Sequence, residues 1–180
     1  MIHTLKLCAR HSGRVSGPDK LSFPPGYTVI AGPNGSGKST LLRAIHECEE
    51  CRWAGDGDGA FFYFDSETMN PHRSDDAHSG WPGSLIKVRA MFSSHGETMR
   101  DVLSLVKFKA GDTLLLDEPE SGHDLEWAIR IHKGVLRIVR GGVQVIAASH
   151  HPVFWHKAHL IELRKNYIER ARLKWRDRLS

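Results

Sequence analysis

The stretch Gly32-Pro33-Asn34-Gly35-Ser36-Gly37-Lys38-Ser39 fits the pattern G-x-x-x-x-G-K-[ST]. Each residue type has a chemical reason to be there. Glycines let successive backbone N–H groups converge on one point and form an anion nest. A helix opening at Ser39 adds the positive end of its dipole. Lys38 carries a mobile positive charge to terminal phosphates, and Ser39 sets a hydroxyl where Mg²⁺ sits beside them. The loop predicts nucleotide binding by Gly32, Pro33, Asn34, Gly35, Ser36, Gly37, Lys38, Ser39 and the following Thr40.

Further along, Leu114-Leu115-Leu116-Asp117-Glu118-Pro119-Glu120 reads as an apolar strand that ends in acid. In an open α/β sheet the carboxyl end of a strand faces the ligand crevice. Asp117 is therefore expected to hold Mg²⁺, directly or through water. Glu118 is placed to polarise an attacking water as a general base. An Asp-Glu pair here favours hydrolysis over phosphoryl transfer to a small acceptor.

Positioning these residues takes a sheet. Tyr27-Thr28-Val29-Ile30-Ala31 is β-branched and apolar, and predicts a buried strand leading into the glycine loop. Ser39 to Cys48 predicts a helix with Leu41, Leu42 and Ile45 on its inner face. Further strands are expected at Thr4–Ala9, Leu21–Phe23, Ala60–Phe64, Leu85–Phe92, Thr113–Leu116, Val143–Ala148 and His159–Leu163. Helices are expected at Glu97–Phe108 and Leu125–Val139. Residues 65–84, polar and rich in Gly, Pro, Ser and His, predict a long surface excursion. Alternating strands and helices argue a mainly parallel α/β sheet.

The two motifs in this order, Gly-Pro-Asn-Gly-Ser-Gly-Lys-Ser-Thr (32–40) and Leu-Leu-Leu-Asp-Glu-Pro (114–119), resemble the ABC-type ATPase superfamily of P-loop NTPases. Three further segments carry the resemblance. Ser93-Ser94-His95-Gly96-Glu97 stands where that superfamily has Leu-Ser-Gly-Gly-Gln/Glu, with Ser94, Gly96 and Glu97 matching. Glu120-Ser121-Gly122-His123-Asp124 occupies the place of its D-loop. In Ser149-His150-His151-Pro152, His150 matches the switch histidine.

The chain is most similar to small stand-alone ABC-like ATPases of AAA-family description. It is more distantly similar to the heads of chromosome-maintenance and double-strand-break-repair ATPases. The resemblance implies an α/β cassette of parallel strands flanked by helices, with a reduced helical subdomain. It implies ATP and Mg²⁺ as cofactors and a head-to-tail homodimer closed over two ATP molecules. His150 would contact the γ-phosphate in its own subunit, and Ser94 and the Gly96 backbone would contact it from the opposite one. His11 or Arg14 would stack on adenine, the alternative being a plain turn residue. The family's Gln loop has no clear counterpart, and Asp65 or Glu67 only approximates it.

With 180 residues, the chain has room for one domain. Apolar residues make up 40 % and charged residues 26 %, the balance of a globular protein. No apolar run reaches the ~20 residues of a membrane span. Three cysteines and no leader pattern lead us to expect a cytoplasmic protein. The net charge of +4 is unevenly placed: residues 164–180 carry seven Lys/Arg and two Asp/Glu, leaving 18 basic and 19 acidic residues in 1–163. We therefore divide the chain into an ATPase domain, 1–163, and a basic amphipathic tail, 164–180. In the tail, Ile168, Ala171, Trp175 and Leu179 recur at helical spacing. It either docks this stripe and exposes a solvated basic face, or binds DNA or another acidic surface.

His46-Glu47-Cys48-Glu49-Glu50-Cys51 contains a C-x-x-C with a histidine nearby. A zinc site needs a fourth ligand, and the sequence has no second C-x-x-C, so the pair reads as reduced thiols at a helix end. The expected function is an ATP-hydrolysing, nucleotide-driven switch acting on a DNA-related or defence or repair partner. The alternatives are a transporter's ATPase subunit and a nucleotide-gated binding module with little hydrolysis.

Overall fold

Val29-Ile30-Ala31, Leu114-Leu115-Leu116 and Val145-Ile146-Ala147-Ala148 are apolar on successive residues, so a strand made of them needs cover on both faces. The fold supplies it. The computed structural model describes residues 1–56, 59–65 and 106–179. Its strands are β1 (Ile2–Lys6), β2 (Lys20–Ser22), β3 (Tyr27–Ala31), β4 (Arg52–Gly55), β5 (Phe61–Asp65), β6 (Thr113–Asp117), β7 (Gln144–Ala148) and β8 (His159–Glu162). Its helices are α1 (Ala9–Ser12), α2 (Lys38–Glu47), α3 (Leu125–Arg140), α4 (Pro152–Trp155) and α5 (Tyr167–Leu179).

Five strands form a sheet in the order β5-β6-β7-β3-β8, and every pairing is parallel. Side chains alternate across it, as a pleat requires. Val29, Ala31, Leu114, Leu116, Val145 and Ala147 pack on one face with Ala128, Ile131 and Val135 of α3. Ile30, Leu115, Ile146 and Ala148 pack on the other with Leu41, Leu42 and Ile45 of α2. That second face is completed by a three-stranded antiparallel sheet, β2-β1-β4, through Ile2, Leu5 and Leu21. Gln144 joins the two sheets: its Oε1 accepts from the Ile2 amide at 2.7 Å and its Nε2 donates to the Ile2 carbonyl at 2.7 Å.

The strand register decides where the chemistry lies. Asp65 pairs with Asp117, Asp117 with Ala148, and Ile30 with Ala148. The carboxyl ends of β5, β6, β7 and β3 are therefore level, and the loops leaving them share one edge. β7 lies between β3 and β6, which spaces the glycine loop from Asp117 by one strand.

The predicted parallel α/β sheet is observed, with differences around it: the short α4 was not expected, and neither were two further features. Residues Thr4–Ala9 do not form one strand, because β1 ends at Lys6. The Cys8 carbonyl instead accepts from the His11 and Ser12 amides at 3.0 and 2.9 Å and starts α1. β4 was not expected; its residues are all exposed, and it exists through its pairing with β1, not through any apolar pattern. The expected excursion beyond Asp65, the strand at 85–92, residues 97–105 of the expected helix Glu97–Phe108 and the reduced helical subdomain lie outside the described residues; Val106, Lys107 and Phe108, the expected end of that helix, are not helical.

The tail docks. Ile168 is buried, and Tyr167 and Ala171 pack on the α3 side of the core. Arg172 and Lys174 are exposed. Among the described residues, no helix is long and apolar enough to cross a membrane.

Candidate functional site

The glycine loop joins β3 to α2. Gly37 caps α2 at φ +91°, a conformation that L side chains rarely adopt. A Cβ there would also lie 2.5 Å from the Arg14 carbonyl oxygen. The Ser16 amide donates to the Ser36 carbonyl at 2.9 Å, so residues 14–16 brace the loop from behind. No side chain caps α2, which leaves the amides of its first turn directed into the loop. The Ser36 hydroxyl is buried and makes no hydrogen bond among the described residues. Lys38 is buried; its Nζ donates to the Pro33 carbonyl at 3.4 Å and lies 3.6 Å from Glu118 Oε1. An ammonium folded back on its own loop, beside a carboxylate, is poised for an anion.

Asp117 ends β6. It accepts from Ser39 Oγ at 3.0 Å on one carboxylate oxygen and from the Tyr63 hydroxyl at 3.1 Å on the other. Burial pushes its carboxyl up to about 6; the Ser39 and Tyr63 hydrogen bonds oppose that shift, and the Asp65 and Glu118 charges add to it. A buried carboxylate and a hydroxyl side by side form an oxygen donor set suited to a hard divalent cation. The expected magnesium ligands are thus in contact.

Glu118 follows at φ +46°, a left-handed conformation unusual for a residue with a side chain. Its amide donates to the Ala148 carbonyl at 2.9 Å, which fixes the turn. Its Oε1 also lies 3.7 Å from His150 Nδ1. The strained turn aims this carboxylate at the gap between Lys38 and His150.

The loop after β7 is held by a residue the sequence did not single out. Glu120 is buried, and its Oε1 accepts from Ser149 Oγ at 2.7 Å and from the His150 amide at 3.1 Å. His150 Nδ1 stands 3.5 Å from the same oxygen. The Ser149 hydroxyl oxygen in turn accepts from the His151 amide at 3.0 Å. Glu120 therefore locks the backbone that presents His150.

The site brings together Lys38, Ser39, Asp117, Glu118 and His150, drawn from the start of α2 and from the carboxyl ends of β6 and β7. Sequence reasoning missed Tyr63 and Arg43 as well as Glu120. Asp65 sits at the carboxyl end of β5, buried and 3.2 Å from Arg43 Nη2. The strand Phe61–Asp65 was legible, but its pairing beside β6 was not. His11, Arg14, Thr40 and Arg43 line an open hollow of about 520 Å³ next to the loop. Ser94, Gly96 and Glu67 lie outside the described residues.

Comparison with known proteins bears on the fold and on the segment around the glycine loop. A family model described as an AAA domain matches residues 15–48. The chromosome partition protein Smc of Synechocystis is 40 % identical over 48 residues, which is 27 % of this chain and 4 % of that protein. The ADP form of MJ1267, an ATP-binding cassette of an ABC transporter, superposes with TM-score 0.60 at 18 % identity, covering 90 % of this chain and 87 % of that one. A nucleotide-free ATP-binding cassette from an ABC transporter gives TM-score 0.57 at 17 % identity, with the same coverage. The fold of this chain is thus that of the ATP-binding cassettes, and the loop that joins β3 to α2 lies within the stretch matched by the AAA-domain model.

Proposed function

We propose that the chain binds and hydrolyses Mg·ATP, closing as a homodimer over two nucleotides and opening after hydrolysis. The observation that carries this reading is Glu118 Oε1 lying 3.6 Å from Lys38 Nζ and 3.7 Å from His150 Nδ1, next to the Ser39–Asp117 pair. Lys38 and the loop amides neutralise the β- and γ-phosphates. Ser39 and Asp117 would hold Mg²⁺, which would supply charge neutralisation across those phosphates. Glu118 orients water for in-line attack and accepts its proton. His150 donates to the γ-phosphate, held in place by Glu120. Ser94 and the Gly96 backbone of the opposing protomer complete the site. Arg14 is the better candidate for the adenine face, because His11 Nδ1 is turned towards the Cys8 sulfur at 3.2 Å.

ATP thereby acts as a switch on a partner. The exposed bases of α5, together with the short Smc likeness, support a DNA-related one. A transporter role is the second reading, favoured by the cassettes this fold resembles; co-purification with a membrane protein would support it. The Glu118→Gln chain tests the main reading. We expect turnover to fall about 100-fold or more with ATP still bound, and an ATP-dependent dimer to appear in size-exclusion runs. Unchanged turnover would overturn the role of Glu118, and a monomer at saturating ATP would overturn the dimer.

A further inference from the structure

The sequence contains a single C-x-x-C, at Cys48 and Cys51, and the histidine near it in sequence is His46. The fold gives that histidine other company: its ring stacks on Tyr63 with centroids 5.2 Å apart. A different pair takes its place. Cys8 and His11, spaced C-x-x-H at the entry to α1, come against Cys48 and Cys51 at the exit of α2. Cys8 Sγ lies 3.2 Å from His11 Nδ1 and 4.0 Å from Cys48 Sγ, and Cys51 Sγ lies 3.4 Å from His11 Nδ1. All four ligand atoms lie within 4.8 Å of one another.

These distances have a geometric meaning. A tetrahedral zinc ion with Zn–S near 2.3 Å and Zn–N near 2.0 Å sets S···S edges of about 3.8 Å and S···N edges of about 3.5 Å. The S···S edge here, 4.0 Å, is slightly longer than its ideal value, and the two S···N edges, 3.2 and 3.4 Å, are slightly shorter than theirs. The Cys8 amide also donates to Cys51 Sγ at 3.3 Å, which fixes that sulfur against the start of α1. Cys51 is buried and the other three are partly buried, so the cluster is closed off on one side by protein.

We propose that Cys8, His11, Cys48 and Cys51 form a structural zinc site of the Cys₃His type. Three sulfurs and one imidazole select zinc over harder cations. Four protein ligands leave no open position, so the ion is structural. Its mechanical effect follows from the chain path. The site ties the β1–α1 turn to the carboxyl end of α2 and the start of β4. Residues 14–16, which brace the glycine loop, leave α1 two residues after its end, so the tie also steadies the back of that loop.

The full chain, purified under reducing conditions from zinc-containing medium, tests this by elemental analysis. We expect about one zinc per chain. Titration of the zinc-stripped chain with Co²⁺ should give the visible bands and near-ultraviolet charge-transfer band of a tetrahedral thiolate site. Cys48→Ser and Cys8→Ser should each lose most of the zinc. Because either variant risks misfolding, His11→Cys provides a second arm: a four-thiolate site remains tetrahedral, so zinc content should stay near that of the parent. A native chain with less than about a tenth of an equivalent of zinc and only an octahedral cobalt spectrum would overturn the proposal. So would a disulfide among the three cysteines under the same conditions, or full zinc retention in both serine variants.

Discussion

Replacing Glu120 by glutamine separates what holds His150 from what holds the fold. The carboxylate makes two charge-assisted bonds, to Ser149 Oγ and to the His150 amide, at 2.7 and 3.1 Å. Such bonds are worth about 1.5–3 kcal/mol each, against about 0.5–1.5 for neutral ones, so the amide forfeits about 2 kcal/mol of anchoring in all. A gain opposes it. Glu120 Oε2 is buried without a hydrogen bond among the described residues, and burying a neutral amide costs less than burying a carboxylate. The two nearly cancel, so Tm should move by no more than about 4 °C. Turnover should not be spared. About 1 kcal/mol of lost restraint at the His150 backbone corresponds to a roughly fivefold lower kcat. KM should hold, because Lys38 and the glycine loop are untouched. Glu120→Ala should do worse on stability: it strands a buried hydroxyl and a partly buried amide, for about 2–6 kcal/mol. The assays are steady-state ATP turnover and calorimetric melting of the same preparations. A Glu120→Gln chain with unchanged kcat and a large fall in Tm would refute the reasoning, since Glu120 would then be a packing residue only.

Two further outcomes follow from the site and the tail. Burial holds the Asp117 carboxyl near 6, above its unfolded value of about 4. The folded chain therefore keeps a proton that the unfolded chain releases, and stability without magnesium falls as pH rises from 4 to 6, by about 2 kcal/mol. Asp117→Asn should remove that slope in urea melts and leave the magnesium-free protein more stable at pH 7, while abolishing turnover. A slope that survives the substitution would show that another group carries it. Arg172→Glu with Lys174→Glu, both exposed on α5, should weaken DNA binding with little change in ATP affinity. The logarithmic salt dependence should become shallower by about one unit per lost phosphate contact. Equal DNA affinity before and after would remove the nucleic-acid reading of the tail. These substitutions are better than deleting 164–180, because Ile168 and Tyr167 belong to the core packing.

What the sequence determined by itself was local. Gly32–Ser39 specifies a loop through residue types that only that backbone accepts, and the apolar runs at 27–31, 113–116 and 143–148 specify strands buried on both faces. Asp117 and Glu118 were legible because acid directly after such a run has few other places to go. The tertiary structure decided which ends stand side by side. The parallel register levels Asp65, Asp117 and Ala148, and nothing in the order of the residues states that β7 enters between β3 and β6. Glu120 looks like one more charge in a turn until the β7 loop folds over it and leaves Ser149 and the His150 amide needing an acceptor. β4 carries no apolar pattern and forms only because β1 offers it an edge. The cysteines show the division most plainly: two ligands at 8 and 11 and two at 48 and 51 are each an incomplete set, and only the packing of α1 against α2 brings them within reach of one ion. Motifs that act through adjacent backbone can be read along the chain, whereas a site whose ligands come from separate elements becomes visible only when the fold has set its distances.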